Sequence, residues 1–287
     1  MSDRAALLAA LAWQLDLGAD EAITDHPQDR FAESQPKAPA TGTAGAAPRA
    51  TTRATGAAVA ARRGGDGDLF PGPAASAEPG GETAPAAPLA AAAKSLPELA
   101  EALASWQGSD LRKGARNCVF ADGQPGAPVM IIGEAPGADE DRQGKPFVGR
   151  AGQLLDRMLA AIGLDRAAED PAHAVYITNI LPWRPPGNRT PSDREVTAFL
   201  PFVLRHIELV GPRILFTIGN TPTKALMNTT IGIRRMRGQW QTHQPSGLPL
   251  LPSFHPAYLL RQPAEKRHAW RDLLSLRAAL DDSSGGT

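Results

Sequence analysis

The chain has 287 residues but only one cysteine, Cys118. A single cysteine excludes an internal disulfide, and it leaves no cysteine cluster that could hold a metal. No apolar run approaches the length of a membrane-spanning helix, so a membrane protein is not expected. The formal net charge is zero, so the overall charge alone does not point to a nucleic-acid partner.

Large apolar residues are scarce in the first third of the chain. Residues 19–94 consist mainly of Ala, Gly, Pro, Thr and Ser, which cannot bury enough surface to offset chain entropy. We therefore predict a disordered linker there. Leucines at helical spacing within residues 1–18 predict a short helix that is solvated or docks on a protein partner. The folded domain is expected over residues 95–281, with residues 282–287 as a disordered tail.

Within the predicted domain, short apolar runs alternate with amphipathic segments. Strands are predicted for residues 129–132, 175–180, 213–218 and 249–254. Helices are predicted for residues 96–106, 153–162, 192–210, 221–227 and 264–280. This alternation predicts a three-layer α/β/α fold with a central, mostly parallel four-stranded sheet.

Two loops that follow predicted strands carry groups capable of chemistry. The first, Gly133–Gly149, combines glycines, prolines and a cluster of acidic residues. The second, Ser253–Arg261, contains a His-Pro pair. Ligands bind at the carboxyl ends of strands in open α/β sheets, so these loops predict one active-site cleft.

The acidic residues of the first loop have two interpretations. Clustered carboxylates can act as general bases or as Mg²⁺ ligands. For Asp139 and Asp141 we favour a solvated loop paired with Arg142 and Lys145. Glu134 is harder to explain in that way, because glycine and proline hold a tight backbone around it.

Three further residues have both a structural and a functional interpretation. Phe147 is either a core residue or a stacking face for a nucleobase. Asn179 is either a turn former or a reader of a base edge, since its amide offers both a donor and an acceptor. His255 either caps the following helix or stabilises negative charge on a leaving base.

Charge is distributed unevenly along the chain. Between residues 201 and 280 the basic residues far outnumber the acidic ones, which suits contact with a phosphate backbone. Arg234, Arg235 and Arg237 lie close together in a glycine-flanked loop, and Arg261 follows the His-Pro pair. A solvated helix face is the alternative explanation for the basic residues after Arg261.

These motifs, in this order, resemble those of the family 4 uracil-DNA glycosylases. The resemblance spans residues 95–280 or so and rests on several runs. They are Gly133–Gly149, Asn179 with Arg-Pro-Pro-Gly-Asn-Arg-Thr-Pro at 184–191, Arg-Gly-Gln-Trp at 237–240, and His-Pro-Ala-Tyr-Leu-Leu-Arg at 255–261.

The resemblance implies a DNA repair enzyme that flips uracil out of DNA and hydrolyses its N-glycosidic bond, in the cytoplasm at the nucleoid. It implies catalytic roles for Glu134, Glu140 and His255. It implies that Gly133, Phe147, Asn179 and His255 bind uracil, and that uracil-containing DNA is the partner. The basic residues expected to contact DNA are Arg189, Arg234, Arg235, Arg237 and Arg261.

Two alternatives remain open at this point. One is a protein of the same fold that binds uracil-DNA without efficient turnover. The other is a metal-dependent phosphohydrolase that uses the acidic loop. Release of free uracil separates the enzyme from the first alternative, and insensitivity to a chelator separates it from the second.

The chain departs from the family pattern in one respect. The pattern includes four cysteines around a [4Fe–4S] cluster. The corresponding positions here hold Trp106, Ser109, Trp183 and Phe199. Such clusters need cysteine ligands, so we expect no cofactor and no metal, and packed side chains in place of the cluster.

Overall fold

A computed structural model describes residues 85–284 of the chain. The helix predicted within residues 1–18 and the linker up to residue 84 lie outside the described residues. The strands are β1 (Asp122–Gly123), β2 (Val129–Gly133), β3 (Val175–Asn179), β4 (Ile214–Ile218), β5 (Gln241–Thr242) and β6 (Pro249–Ser253). They form one sheet in the order β1-β3-β2-β4-β6-β5.

The four central strands are parallel, as the alternating sequence pattern predicted. Two edge strands were not predicted. β1 pairs antiparallel with β3, and β5 pairs antiparallel with β6. Each spans two residues, which is too short to give a periodic pattern in the sequence.

Helices cover the connections between the strands. They are α1 (Ala86–Ala92), α2 (Leu96–Ser105), α3 (Leu111–Gly114), α4 (Ala138–Gln143), α5 (Arg150–Ala160), α6 (Asp193–Val210), α7 (Asn220–Met227), α8 (Ile233–Met236), α9 (Pro256–Arg261) and α10 (Lys266–Ser284). The predicted acidic loop therefore contains a helical turn and a half, α4. No helix in residues 85–284 combines the length and apolar character needed to cross a bilayer.

Both faces of the sheet are buried, which explains the continuous apolar runs of its strands. Side chains alternate between faces along a strand, so Met130 and Ile132 join one core cluster while Val129 and Ile131 join the other. Helix α6 packs in the first cluster, and α5 and α10 pack in the second. The three-layer α/β/α architecture predicted from the sequence is confirmed.

Helices extend beyond the predicted domain boundaries, residues 95 and 281, at both ends. Helix α1 lies in the stretch assigned to the linker, yet Ala90 and Ala93 are buried. The guanidinium of Arg205 in α6 donates hydrogen bonds of 2.9 and 2.7 Å to the carbonyl oxygen of Ala93. Alanine favours the helix and is small enough for close packing, whereas its abundance had suggested disorder. At the other end, α10 continues past residue 281 to Ser284.

Candidate active site at the carboxyl ends of the strands

The carboxyl ends of β2, β3, β4 and β6 open onto one cavity of about 530 Å³. Gly133 and Asn179 are paired in register at the ends of β2 and β3. The amide of Gly219 donates to the carbonyl of Ser253 across β4 and β6, at 3.0 Å. The cavity lining includes Glu134, Glu140, Phe147, Asn179, Asn188, Arg189, Gly219, Asn220, His255 and Arg261.

Glu134 reaches the cavity from the end of β2. Its side-chain Oε2 accepts a hydrogen bond from the Thr221 hydroxyl at 2.5 Å. Its backbone carbonyl accepts from the amide of Leu181 at 3.1 Å, which ties the loop after β2 to the loop after β3. Thr221 was not predicted as a site residue. The available signal was its position at the start of α7, shortly after the end of β4, where ligand-binding groups collect.

Glu140 closes the loop that follows β2. Its Oε2 accepts from the amide of Gly137 at 3.1 Å, and its Oε1 accepts from the amides of Val148 and Gly149, both at 2.9 Å. A carboxylate that binds three backbone N–H groups holds both ends of the loop together. The geometry therefore makes Glu140 a positioning group, and it favours Glu134 as the carboxylate that faces a substrate.

The other acidic side chains of this loop do not meet at one site. Asp139 pairs with Arg142, as predicted. Asp141 is buried rather than solvated, and its Oδ1 accepts from the amides of Arg116 and Asn117 at 2.8 and 3.2 Å. Within residues 85–284, no three His, Cys, Asp or Glu side chains gather in a way that could hold a metal ion. Among these residues, the carboxylates of the loop do not form the ligand set that the phosphohydrolase alternative would use.

Gly133 allows an aromatic ring and an amide to meet over the end of β2. A Cβ atom at Gly133 would overlap both Asn179 Oδ1 and the ring of Phe147. Asn179 is only 5% exposed, and its Oδ1 has no hydrogen-bond partner among the described residues. A buried acceptor without a partner is costly, so this atom is suited to a ligand that supplies a donor.

His255 serves as the N-cap of α9, because its Nδ1 accepts a hydrogen bond from the amide of Ala257 at 3.1 Å. The proton of the neutral ring is therefore on Nε2. Burial lowers the pKa of His255 to about 4, and the nearby charge of Arg261 acts in the same direction. The ring lies 5.6 Å from that of Phe147, between centroids. At neutral pH the histidine is an uncharged N–H donor at the cavity wall.

Two of the predicted DNA-binding arginines, Arg189 and Arg261, line the cavity. Arg189 also forms a two-pronged ion pair with Glu195, with N–O distances of 2.8 and 2.7 Å. Arg234 and Arg235 lie exposed on α8. Arg234 donates to the hydroxyl of Tyr258 at 2.7 Å, which joins α8 to α9.

Arg237, which is also predicted to contact DNA, binds groups inside the domain. Its guanidinium pairs with Asp272, a carboxylate that is only 1% exposed, and it donates to the carbonyl of His268 at 2.9 Å. It also packs 5.6 Å from the ring centroid of Phe254. Its charge and donors are thus used inside the domain, where they hold α10 against the end of β6.

Three of the four positions that correspond to cluster ligands meet in the core. The ring of Phe199 lies 5.3 Å from that of Trp106 and 5.6 Å from that of Trp183, and all three side chains are buried. The hydroxyl of Ser109 accepts from the amide of Leu111 at 3.3 Å. These residues offer no thiolate, so they do not fit an iron–sulfur cluster. Cys118 is partly buried, and burial raises its pKa to about 11, which keeps it a neutral thiol.

Comparisons with known proteins show which family the chain resembles. A profile of the uracil DNA glycosylase superfamily matches residues 120–274. The chain is 38% identical over 185 residues to the Type-4 uracil-DNA glycosylase of Pyrobaculum aerophilum, which covers 62% of this chain and 91% of that protein. It is 39% identical over 189 residues to the Type-4 uracil-DNA glycosylase of Saccharolobus solfataricus, which covers 63% of this chain and 85% of that protein.

The chain belongs to the uracil-DNA glycosylase superfamily. Its relatives within that superfamily identify it further as a member of family 4.

Proposed function

We propose that the protein is a uracil-DNA glycosylase, which hydrolyses the N-glycosidic bond of deoxyuridine in DNA and releases uracil. One observation carries the proposal. A single cavity at the strand ends combines an aromatic ring, a neutral histidine donor, a carboxylate and a buried amide whose oxygen has no partner in the described part of the chain. The Type-4 uracil-DNA glycosylases to which the chain is similar support the same activity.

Phe147 and Asn179 recognise the base. The flipped uracil stacks on the ring of Phe147. The free Oδ1 of Asn179 accepts from N3–H of uracil, and its Nδ2 donates to O4. Arg189 and Arg261 at the cavity, together with the exposed Arg234 and Arg235, supply positive charge for the DNA phosphates.

Cleavage of the bond separates charge, with negative charge on uracil and positive charge on the sugar. His255 donates from Nε2 to uracil O2, where the negative charge develops. Because its pKa is about 4, it stabilises the anion as a neutral donor and does not transfer a proton. Glu134, oriented by Thr221, stabilises the cationic sugar and orients the attacking water. Glu140 keeps the loop closed.

The proposal is tested with an oligonucleotide that contains one uracil, incubated with the protein in excess chelator. We expect free uracil in stoichiometric yield and strand cleavage only after alkaline treatment. The same oligonucleotide with cytosine or thymine at that position is the control. Binding without uracil release would instead support a non-catalytic uracil-DNA-binding protein. Loss of release in the chelator would support metal-dependent chemistry.

The excision rate is expected to show no titration step near pH 6.5, the ordinary pKa of histidine. His255 stays neutral until the pH approaches its lowered pKa of about 4. In the unfolded chain this histidine binds a proton at higher pH, so the free energy of unfolding falls as the pH drops from about 6.5 towards 4. Single-turnover rates and thermal melts across this range test both statements. A rate step near pH 6.5 that His255→Asn removes would contradict them.

We also propose that the protein carries no iron–sulfur cluster, because aromatic rings fill the corresponding positions. Anaerobically purified protein is expected to be colourless and to lack stoichiometric iron and acid-labile sulfide. A family 4 protein that retains the four cysteines, purified in parallel, is the control. Iron and sulfide in stoichiometric amounts would sink this prediction. A protein partner for residues 1–18 and a cytoplasmic location at the nucleoid remain predictions from the sequence.

A further inference from the structure

Phe147 has a backbone conformation that few aromatic residues adopt. Its φ is +54°, in the left-handed region that favours glycine. Such a conformation persists only where the surroundings hold it in place. The residue is 6% exposed, and its ring lies between Gly133 and His255 at the cavity. A relaxed backbone at this residue would move the ring away from both.

One residue that holds this backbone, Arg166, is not among the residues that line the cavity. The guanidinium of Arg166 donates from Nη1 to the carbonyl of Pro146 and from Nη2 to the carbonyl of Phe147, both at 2.9 Å. The side chain of Arg166 is 13% exposed and comes from the connection between α5 and β3. Arg166 therefore binds the peptide groups on both sides of Phe147.

Arg166 is itself fixed by two carboxylates. Its Nη1 lies 3.2 Å from Asp122 in β1, and its Nη2 lies 2.7 Å from Asp156 in α5. These contacts neutralise the guanidinium and orient its fork, which lowers the entropy lost in holding two carbonyls. The short edge strand β1 thereby contributes to the site through Asp122.

Glu140 also holds the peptide group between Phe147 and Val148, together with the next one. Glu140 binds the amides of Val148 and Gly149, while Arg166 binds the carbonyls of Pro146 and Phe147. Gly152 completes the arrangement, since a Cβ at this position would overlap the carbonyl of Phe147. The backbone of residues 146–149 is thus fixed by the carboxylate of Glu140 and the guanidinium of Arg166.

We propose that Arg166 is a positioning residue for uracil recognition. It keeps Phe147 in the left-handed conformation in which its ring forms a wall of the cavity. Loss of Arg166 lets φ return to ordinary negative values and displaces the stacking ring, while Glu134 and His255 stay in place. This inference rests on the proposed function, because it concerns how the same cavity holds the base.

The test compares Arg166→Ala with Asp156→Asn. Both variants lose the ion pair with Asp156, but only the first loses the two bonds to the carbonyls. We expect Arg166→Ala to lower the single-turnover excision rate about 10- to 100-fold, as a displaced group near the reacting centre does. Its affinity for free uracil, measured by calorimetry, falls as well. Asp156→Asn keeps an oxygen acceptor for the guanidinium, and Asp122 still pairs with Nη1, so we expect this variant to stay within about twofold of the parent in both measurements.

Two further measurements separate positioning from general stability. Guanidinium chloride, added well below denaturing concentration, should restore part of the activity of Arg166→Ala. Arg166→Lys, which keeps the charge but cannot reach both carbonyls with a planar fork, should be impaired even if the alanine variant does not fold. Parental uracil binding in Arg166→Lys, or equal losses in Asp156→Asn and Arg166→Ala, would overturn the proposal. A parent that binds free uracil but releases none from DNA would contradict the proposed function and leave this binding test intact.

Discussion

Replacement of His255 by alanine is expected to slow single-turnover uracil release by about 10²–10³-fold, the usual effect of removing one donor to a developing anion. Affinity for uracil-containing DNA should change little, because the charge on uracil O2 appears only in the transition state. The measurement is single-turnover excision beside equilibrium binding. The substitution also removes the Nδ1 cap of α9, so a structural effect must be separated from a catalytic one.

His255→Asn is the matched control. Asparagine is among the best N-cap residues, so it can replace the bond to the amide of Ala257, but it is too short to supply a donor at the position of Nε2. We expect a melting temperature close to that of the parent and a rate close to that of the alanine variant. If the asparagine variant cleaves at the parental rate, the histidine is only a helix cap, and catalysis must depend on the loop after β2.

Asn179→Asp is expected to lower uracil excision by about 5- to 150-fold, which corresponds to the roughly 1–3 kcal/mol cost of an unmatched polar group in a closed site. The aspartate has no N–H for uracil O4, and its ionised form places negative charge against that oxygen. In the parent, Oδ1 is buried and has no hydrogen-bond partner within residues 85–284, so it is available to the edge of the base.

The proper comparison for this variant is Asn179→Ala, which removes both hydrogen bonds without adding charge. The aspartate variant should be the slower of the two at neutral pH. Its rate should rise on acidification, because a protonated carboxyl regains a donor for O4. Single-turnover rates over a pH series measure this difference. Parental activity in the aspartate variant at neutral pH would contradict the assigned role in recognition.

The sequence was sufficient to predict the parts of the site that follow strands. Glu134, Asn179 and His255 each stand where an apolar run stops, and parallel strands bring such ends to one edge of the sheet. The four parallel strands were predictable for the same reason, since strands buried on both faces give continuous apolar runs. The order of the strands in the sheet, with β2 between β3 and β4, could not be predicted. It depends on which strands pair, and the apolar sequence of one strand does not carry that information.

The residues that hold the site in place could not be predicted, because their partners are far away in the chain. The hydroxyl of Thr221 binds Glu134 across 87 positions of sequence. Arg237 appeared to belong to an exposed basic cluster, but its charge is matched by Asp272, 35 positions later. Local patterns report burial and periodicity, whereas such pairs arise only after the strands and helices have docked.

The cavity is built from the ends of all four central strands, and this has a consequence for folding. Its walls come from residues between 134 and 261, and the parallel strands that carry them are joined only by long connections. Pairing of this kind has a high contact order, which slows folding. A chain under synthesis that ends before β6 lacks His255 and has no complete binding site. Because the site is complete only when all four strands are in place, a bound base raises the free energy of unfolding of the whole sheet. The increase is RT ln(1 + [L]/Kd), where [L] is the concentration of free base.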